Sequence, residues 1–271
     1  MRLVLFSKLF RGKDVDELAA QVRATGFDAI ELPVRPGYQC PPEEAAERLV
    51  PTVERLRELG VEVLIVTAPV VEPEDPLTQA IYAACGRAGV RYLRPGYWRV
   101  EEGQYWDVFH LARRQVKGLE RLSQSTGVKT ALHIHSGKFL TSTCATTYWL
   151  VEGCDPQYVG IYLSPPHMAL SGEDVEVGLG IVGQYLCLVD HKNFRYERCR
   201  VLRRREPEWH RAGVSSWEGL VNWPQVIRLL RRVGYEGPIC FHPEYDDEAH
   251  AAKLVARDRE YVARLIEERS P

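Results

Sequence analysis

The chain has 271 residues, of which 45% are apolar and 27% are charged, and its formal net charge is −2. This composition is typical of a globular protein and excludes the disordered and fibrous classes. The near-zero charge argues against a nucleic-acid partner, because phosphate binding needs a concentrated positive field. No stretch approaches the roughly 20 apolar residues that cross a bilayer, and the first ten residues do not resemble a secretory signal. We therefore expect a cytoplasmic protein with neither a membrane nor a nucleic-acid partner.

Short apolar runs alternate along the chain with longer amphipathic stretches. Each run has four to six residues and is rich in Val, Ile, Leu or aromatic residues, which is too short for a helix and typical of buried strands. The predicted strands, first to eighth in chain order, are Arg2–Phe6, Ala29–Leu32, Val61–Val66, Arg91–Arg94, Thr130–Ile134, Tyr158–Leu163, Tyr185–Val189 and Pro238–Phe241.

The stretches between these runs place apolar residues at helical spacing. The predicted helices are Val15–Ala24, Glu43–Leu59, Val226–Val233 and Glu248–Glu267. Gly60 and Gly234 follow the second and third of these, where glycine commonly ends a helix.

Strands that alternate with helices predict a parallel sheet. At this length the closed form is favoured, so we predict an α/β fold with a single (β/α)8 TIM barrel over residues 1–271 as one domain. The rival is an open doubly wound sheet, which usually has a glycine-rich phosphate turn after its first strand. The segment Phe6–Gly12 is not such a turn, so no nucleotide cofactor is expected.

Residues capable of chemistry follow the ends of the predicted strands, which is where a TIM barrel carries its active site. They are Glu31, Arg94, His133, His135, Ser164, His167, Asp190, His191, Lys192, His242 and Glu244. Five of the eight histidines of the chain are in this set. A single histidine of this kind is explained by a hydrogen bond in the core, but five on four consecutive strands predict a functional cleft.

A metal site is the first interpretation of this cluster. His133 and His135 are two residues apart on one strand, so both imidazoles point to the same face. His133, Asp190 and His242 form the predicted ligand set, because two histidines and one carboxylate leave coordination positions open for substrate oxygens. The alternative is a buried His–Asp hydrogen-bond network without a metal.

Five segments carry patterns of a known family. They are Gly26–Leu32, Val128–Gly137, Val159–Gly172, Leu188–Asn193 and Leu230–His242. In this order they resemble the motifs G-[FY]-x-x-[VI]-E-L, L-E-N-H, G-x-x-x-D-x-x-H, V-H-x-K-D and L-x-x-x-G-Y-x-G-x-[IV]-x-x-E of the xylose isomerase-like TIM barrel superfamily. The resemblance implies a barrel of the kind used by sugar isomerases, epimerases and endonuclease relatives.

The resemblance also implies a metal site, with a departure from the usual ligands. The family uses Glu, Asp, His and Glu on its last four strands, and the matching positions here are His133, Ser164, Asp190 and His242. A shift of one residue would make His191 the match on the seventh strand, and Glu244 would stand in for the glutamate of the eighth. His135, His167 and Lys192 match positions at which the family keeps histidines and a lysine.

The departure bears on the acid–base chemistry. In the family's epimerases the two ligand glutamates also move the proton beside the carbonyl, whereas a metal-bound imidazole has no free lone pair on its coordinating nitrogen. Nitrogen ligands favour Zn, Fe or Mn over Mg. The other explanation is a lost metal and metal-free chemistry by the histidines. At position 190 this chain has Asp where the family has His. This reciprocal exchange of ligand types favours a rearranged metal site over a lost one.

We therefore expect a metal-dependent carbohydrate isomerase or epimerase that abstracts a proton next to a sugar carbonyl. One divalent metal ion would be held by His133, Asp190 and His242. The expected acid–base candidates are Glu244, Lys192 and His167, and the expected substrate contacts are Glu31, Arg94, His135, His191 and Ser164. The partner would be a small sugar or sugar derivative, and the sequence leaves open whether the chain forms a homo-oligomer.

Two other functions fit the same residues. One is a lyase that acts on an oxidised (keto) sugar by the same proton abstraction. The other is a non-catalytic sugar-binding or scaffold protein. A basic run at Arg195–Arg205 indicates an anion contact, a solvated loop or a subunit contact.

Overall fold

The computed structural model describes residues 1–199 and 209–268. Eight parallel strands close into a barrel, so the predicted (β/α)8 TIM barrel is confirmed. These strands are β1 (Leu3–Phe6), β2 (Ala29–Pro33), β3 (Glu62–Thr67), β4 (Tyr92–Arg94), β5 (Lys129–His133), β6 (Val159–Leu163), β7 (Leu186–His191) and β10 (Ile239–Phe241). Strand β10 lies between β7 and β1 and closes the barrel.

Helices cover the outside of the barrel. They are α1 (Val15–Ala24), α2 (Ala45–Glu58), α3 (Pro76–Ala88), α4 (Tyr105–Thr126), α5 (Cys144–Val151), α6 (Pro165–Ser171), α7 (Val175–Val182), α8 (Trp223–Arg232) and α9 (Ala251–Glu267). The predicted starts of α2 and α9 were early, because the short 3-10 turns Pro42–Glu44 and Glu248–His250 precede these helices. The predicted start of α8 was late, since the Asn222 side chain caps the helix at Gln225.

Two layers of apolar side chains position the site. One fills the space between strands and helices, and the other fills the inside of the barrel with residues such as Val4, Phe6, Ala131, Leu188 and Cys240. Successive side chains of a strand point to opposite faces, so every second side chain of each strand points into the barrel, up to its carboxyl end. There the inward series turns polar, as in the step from Leu188 to the buried Asp190.

A hairpin that the sequence did not predict follows β7 after one residue. It consists of β8 (Asn193–Arg198) and β9 (Trp209–Val214), which pair antiparallel from Asn193 with Val214 to Arg198 with Trp209. Most of its outer residues are exposed and polar, and the apolar alternation is limited to Phe194 and Tyr196, which is too short a pattern to predict strands. The basic run predicted at Arg195–Arg205 begins on β8, and its part at residues 200–205 lies outside the described residues.

Within residues 1–199 and 209–268, no helix combines the length and the apolar character that crossing a bilayer requires.

Candidate active site and metal centre

Glu31 and His242 form a buried polar contact inside the barrel. The His242 Nε2 lies 3.1 Å from the Glu31 Oε2 and 2.9 Å from the Tyr162 hydroxyl, which itself donates to the same oxygen at 3.0 Å. Arg94 pairs with the other carboxylate oxygen at 3.2 Å, and the Thr67 hydroxyl donates to it as well. Burial by itself would raise the pKa of Glu31, but Arg94 and His242 hold that pKa well below its ordinary value. Glu31 is therefore a buried carboxylate ion.

This contact decides which nitrogen of His242 is free. Burial lowers the pKa of His242, against the opposing effect of Glu31, so the ring is neutral. The Nε2–H donates to Glu31, which leaves a lone pair on Nδ1. The Nδ1 atom lies 3.7 Å from the Asp190 Oδ2. Two electron-rich atoms thus face each other inside the barrel.

His133 contacts the same carboxylate oxygen of Asp190. Its Nε2 lies 2.9 Å from the Asp190 Oδ2, and its Nδ1 lies 2.7 Å from the hydroxyl of Tyr97. Burial, with the positive charge of Arg94, lowers the pKa of His133 well below its ordinary value. The Tyr97 hydroxyl can either donate or accept a hydrogen bond. When the His133 Nε2 carries no proton, the proton on Nδ1 is therefore donated to this hydroxyl.

A cation fits between these groups. One ligand atom from each of His133, Asp190 and His242 lies within 4.8 Å of the others, and all three residues are buried. The Oδ1 of Asp190 is buried with no hydrogen-bond partner among the described residues. The remaining nitrogen of each imidazole has a hydrogen-bond partner, Tyr97 for His133 and Glu31 for His242, which is the arrangement that orients histidine ligands in metal proteins.

A second group of possible ligands, Glu31, Cys240 and His242, fits a metal less well. Burial, together with the negative charge of Glu31, raises the pKa of the Cys240 thiol well above its ordinary value, so the sulfur keeps its proton. Glu31 is already neutralised by Arg94. The first group is therefore the candidate metal centre.

Lys192 and Glu244 lie at the edge of this centre. The Lys192 Nζ is 3.5 Å from the Asp190 Oδ2 and 3.4 Å from the Glu244 Oε2, and Lys8 donates to the other Glu244 oxygen at 2.7 Å. Burial would lower the pKa of Lys192, but Glu244 and Asp190 raise it, so the amine is charged. Burial would raise the pKa of Glu244, but Lys192 and Lys8 hold it well below its ordinary value.

His135 and His167 lie side by side at the mouth of the barrel, with ring centroids 3.9 Å apart. The His167 Nδ1 lies 2.9 Å from the Ser136 hydroxyl, and its Nε2 is buried with no partner among the described residues. Burial, with the charge of Lys192, lowers the pKa of His167 well below its ordinary value, and burial lowers that of His135 to about 4. Both rings are therefore neutral at pH 7.

Two residues predicted to bind substrate have other places in the structure. His191 lies outside the barrel, because its neighbour Asp190 on β7 points inward; its ring packs 4.2 Å from Trp223 and 4.1 Å from Phe241. The Ser164 hydroxyl accepts from the backbone N–H of His167 and caps helix α6. We therefore leave His191 and Ser164 out of the candidate site. The other predicted residues are brought together at the barrel mouth.

Several residues of the site are not among the site residues predicted from the sequence. Lys8, Thr67, Tyr97, Tyr162 and Cys240 all contact the predicted residues. Tyr162 and Cys240 lie inside apolar runs and were interpreted as core residues. Tyr162 is two residues before Ser164, and Cys240 is two residues before His242, so the members of each pair point to the same face of the strand. This spacing is the signal that would have identified them.

A cleft of about 550 Å³ opens beside the centre. Lys8 and Glu244, which lie at the edge of the centre, line this cleft together with Phe194, Arg211 and Asp246. The hairpin β8–β9 supplies Phe194 and Arg211 to the lining.

The model of the family described as xylose isomerase-like TIM barrel matches residues 15–265, and the chain belongs to this family. Among curated relatives, the inosose dehydratase of Mesomycoplasma hyopneumoniae is 24% identical over 151 residues. That alignment covers 53% of this chain and 50% of the relative, so the chain spans about half the length of the curated relatives it matches.

Solved structures of similar fold include two with informative descriptions. The IolI protein with a bound zinc atom has a TM-score of 0.76 at 14% identity, with 98% of each chain covered. The 3-keto-D-glucoside 4-epimerase YcjR from E. coli, in its apo form, has a TM-score of 0.72 at 13% identity, covering 97% of this chain and 99% of that chain. At these identities the likeness shows the shared fold alone.

Proposed function

We propose that the protein is a metal-dependent carbohydrate isomerase or epimerase that moves a proton next to a sugar carbonyl. The observation that carries the proposal is the 3.7 Å approach of the His242 Nδ1 lone pair to the Asp190 carboxylate, with Nε2 engaged by Glu31. A neutral imidazole nitrogen and a carboxylate oxygen repel each other unless a cation lies between them. The zinc atom of the similar IolI structure and the epimerase activity named for YcjR support the same class.

His133, Asp190 and His242 would hold the ion. Their two nitrogens and one carboxylate suit Zn, Fe or Mn better than Mg, which prefers oxygen ligands. When bound, a divalent ion of this kind polarises a carbonyl oxygen and stabilises negative charge that develops on it.

The surroundings of the three acid–base candidates assign them different roles. Lys192 is held as a cation by Glu244 and Asp190, so it donates a hydrogen bond or a proton and does not accept one. Glu244 is held as an anion by two amines, which makes it a weak base and an orienting partner of Lys192. His167 is neutral, and its buried Nε2 has no partner among the described residues. We assign proton transfer at the sugar carbon to His167 and stabilisation of the developing oxyanion to Lys192.

A lyase on a keto sugar is the second candidate. The name of the curated relative, inosose dehydratase, specifies removal of water rather than isomerisation. The two reactions share the abstraction of a proton beside a carbonyl and differ in whether a hydroxyl then leaves. The same residues serve both, so the products of turnover decide between them.

The first experiment is metal analysis of the purified protein by elemental mass spectrometry, with wild type, His133→Ala and His110→Ala. His110 is an exposed histidine of α4 and serves as the matched control. We expect about one Zn, Fe or Mn per chain in wild type and in His110→Ala, and none in His133→Ala. Equal metal content in His133→Ala and wild type would contradict the assigned ligands.

The second experiment detects proton transfer directly. Keto sugars are incubated with the metal-loaded protein in D2O, and NMR follows deuterium incorporation at the carbon next to the carbonyl. We expect incorporation with wild type and with His110→Ala, and a loss of it in His167→Ala. Absence of turnover and of exchange for any keto sugar, despite bound metal, would favour the non-catalytic sugar-binding alternative.

A further inference from the structure

Three cations surround one aromatic ring at the barrel mouth. The Lys8 Nζ lies 5.6 Å from the centroid of the Phe6 ring, the Arg94 guanidinium carbon lies at 4.9 Å and that of Arg35 at 5.7 Å. The Phe6 ring is buried and lies 4.9 Å from the ring of His242. The three charges and the candidate ligand His242 thus lie around the same aromatic ring.

Two of these cations are neutralised by carboxylates and the third is not. Lys8 pairs with Glu244 at 2.7 Å, and Arg94 pairs with Glu31 at 3.2 Å. The side chain of Arg35, which follows β2 and is half-buried, forms no hydrogen bond or ion pair with any residue in the described ranges 1–199 and 209–268. Burial and the repulsion from Arg94 both lower the pKa of Arg35, and the attraction of the more distant Glu31 offsets this only in part.

Each acidic residue around the centre already has a cation or a histidine as its partner. Glu31 is occupied by Arg94, Glu244 by Lys8 and Lys192, and Asp190 by Lys192 and His133. The four cations at the mouth therefore exceed the three carboxylates by one charge, and a bound divalent ion would add to this excess. A partly desolvated charge without a partner is costly, and an anion that enters the site removes that cost.

We propose that the substrate carries an anionic group, a carboxylate or a phosphate, which Arg35 binds while the carbonyl end lies at the metal centre. The inference rests on the proposed function, since it assigns a class of sugar to that site. A guanidinium is suited to this role because its planar donors match the two oxygens of a carboxylate or the edge of a phosphate. The Arg35 guanidinium carbon and the His242 ring lie 5.7 Å and 4.9 Å from the same Phe6 centroid, a separation that one six-carbon sugar derivative can span.

The test is calorimetric titration of the full chain with three ligands that share one sugar skeleton: D-fructose, D-fructuronate and D-fructose 6-phosphate. The variant is Arg35→Gln, and the control is Arg228→Gln, which makes the same change of charge at an exposed site on α8. We expect the anionic ligands to bind at least about tenfold more tightly than D-fructose. We expect Arg35→Gln to abolish this preference, Arg35→Lys to keep part of it and Arg228→Gln to leave it intact.

The two anionic ligands separate the sources of the charge. Preference for the uronate indicates a sugar acid, and preference for the 6-phosphate indicates a sugar phosphate. Equal binding of all three ligands, or equal behaviour of Arg35→Gln and Arg228→Gln, would overturn the inference. Turnover of neutral keto sugars with no preference for anionic ligands would support the proposed enzyme activity and contradict the role of Arg35. Binding of anionic ligands that depends on Arg35, without any turnover, would contradict the proposed enzyme activity and support the role of Arg35.

Discussion

The Nε2 of His242 lies 3.1 Å from the Oε2 of Glu31, although 211 residues separate the two in the chain. This contact directs the free Nδ1 toward Asp190, and it links the charge of Glu31 to the candidate ligand. Carboxylates in this position fix the ring and raise the basicity of a ligating imidazole.

Replacing Glu31 by Gln tests that role. An amide oxygen still accepts from Nε2 but lacks the charge, so we expect the affinity for Zn to fall by about 10–100-fold. Competition with a chelator measures the affinity for Zn. The measurement is made below the unfolding temperature of the variant, which we expect to be reduced because Arg94 loses its charged partner. Glu62→Gln, a half-exposed carboxylate paired with Arg2 at the other end of the barrel, is the control. Unchanged affinity in folded Glu31→Gln would contradict the assignment.

Lys192 separates metal binding from catalysis. Its ammonium group is 3.5 Å from Asp190 and repels a metal ion there, so Lys192→Gln should bind the metal at least as well as wild type. We expect turnover to fall by about 100-fold or more, because the cation that stabilises the developing oxyanion is lost. Metal titration and steady-state kinetics measure the two effects. Lys253→Gln, at an exposed position of α9, is the control; a loss of metal from Lys192→Gln would argue against the predicted roles.

Gly213 on β9 packs against the backbone of the Glu244 segment. A Cβ at this position would lie 1.7 Å from the Glu244 carbonyl oxygen, and the Asp246 N–H donates to the Gly213 carbonyl at 3.1 Å. Gly213→Ala must therefore displace the hairpin or Glu244. We expect a loss of about 1–3 kcal/mol of unfolding free energy, with an increase in KM.

Chemical unfolding and kinetics check the Gly213 prediction. Gly180→Ala in α7 is the matched control, since no heavy atom lies within 4 Å of the added Cβ. A Gly213→Ala protein with the stability and KM of wild type would show that the hairpin does not hold Glu244 in place.

Asp258 gives a pH-dependent prediction away from the candidate metal centre. It is fully buried on α9, accepts from the Ser216 N–H and from the Tyr245 hydroxyl, and burial raises its pKa above 3.8. The folded state thus binds this proton more tightly than the unfolded state. The stability contributed in this way is present below pH 3.8 and is lost as the pH rises through the raised pKa.

The Asp258→Asn variant keeps the shape of the side chain and removes the titration. Relative to wild type, it should gain stability as the pH rises from 4 to 8, as measured by urea unfolding at each pH. Asp107→Asn, at an exposed position of α4, should follow wild type throughout. A constant difference between Asp258→Asn and wild type over this range would contradict the prediction.

The barrel strands were predictable because each is a short apolar run that the chain itself displays. All eight predicted runs overlap the strands found, from Leu3–Phe6 to Ile239–Phe241. The rim residues were predictable for the same reason, since the end of a strand is visible in the sequence. The hairpin β8–β9 was missed because its apolar alternation is limited to Phe194 and Tyr196 within a basic run, and because its strands pair only with each other.

The sequence by itself determined which strands form the barrel and which chemical groups stand at their carboxyl ends, because alternation and strand length are local properties. Only the tertiary structure decided which groups meet. The closure of β10 between β7 and β1 brings Glu31, Asp190 and His242 together, while it leaves His191 outside beside Trp223. One residue of register sends a side chain to the opposite face of a strand, and that register depends on pairing between distant segments.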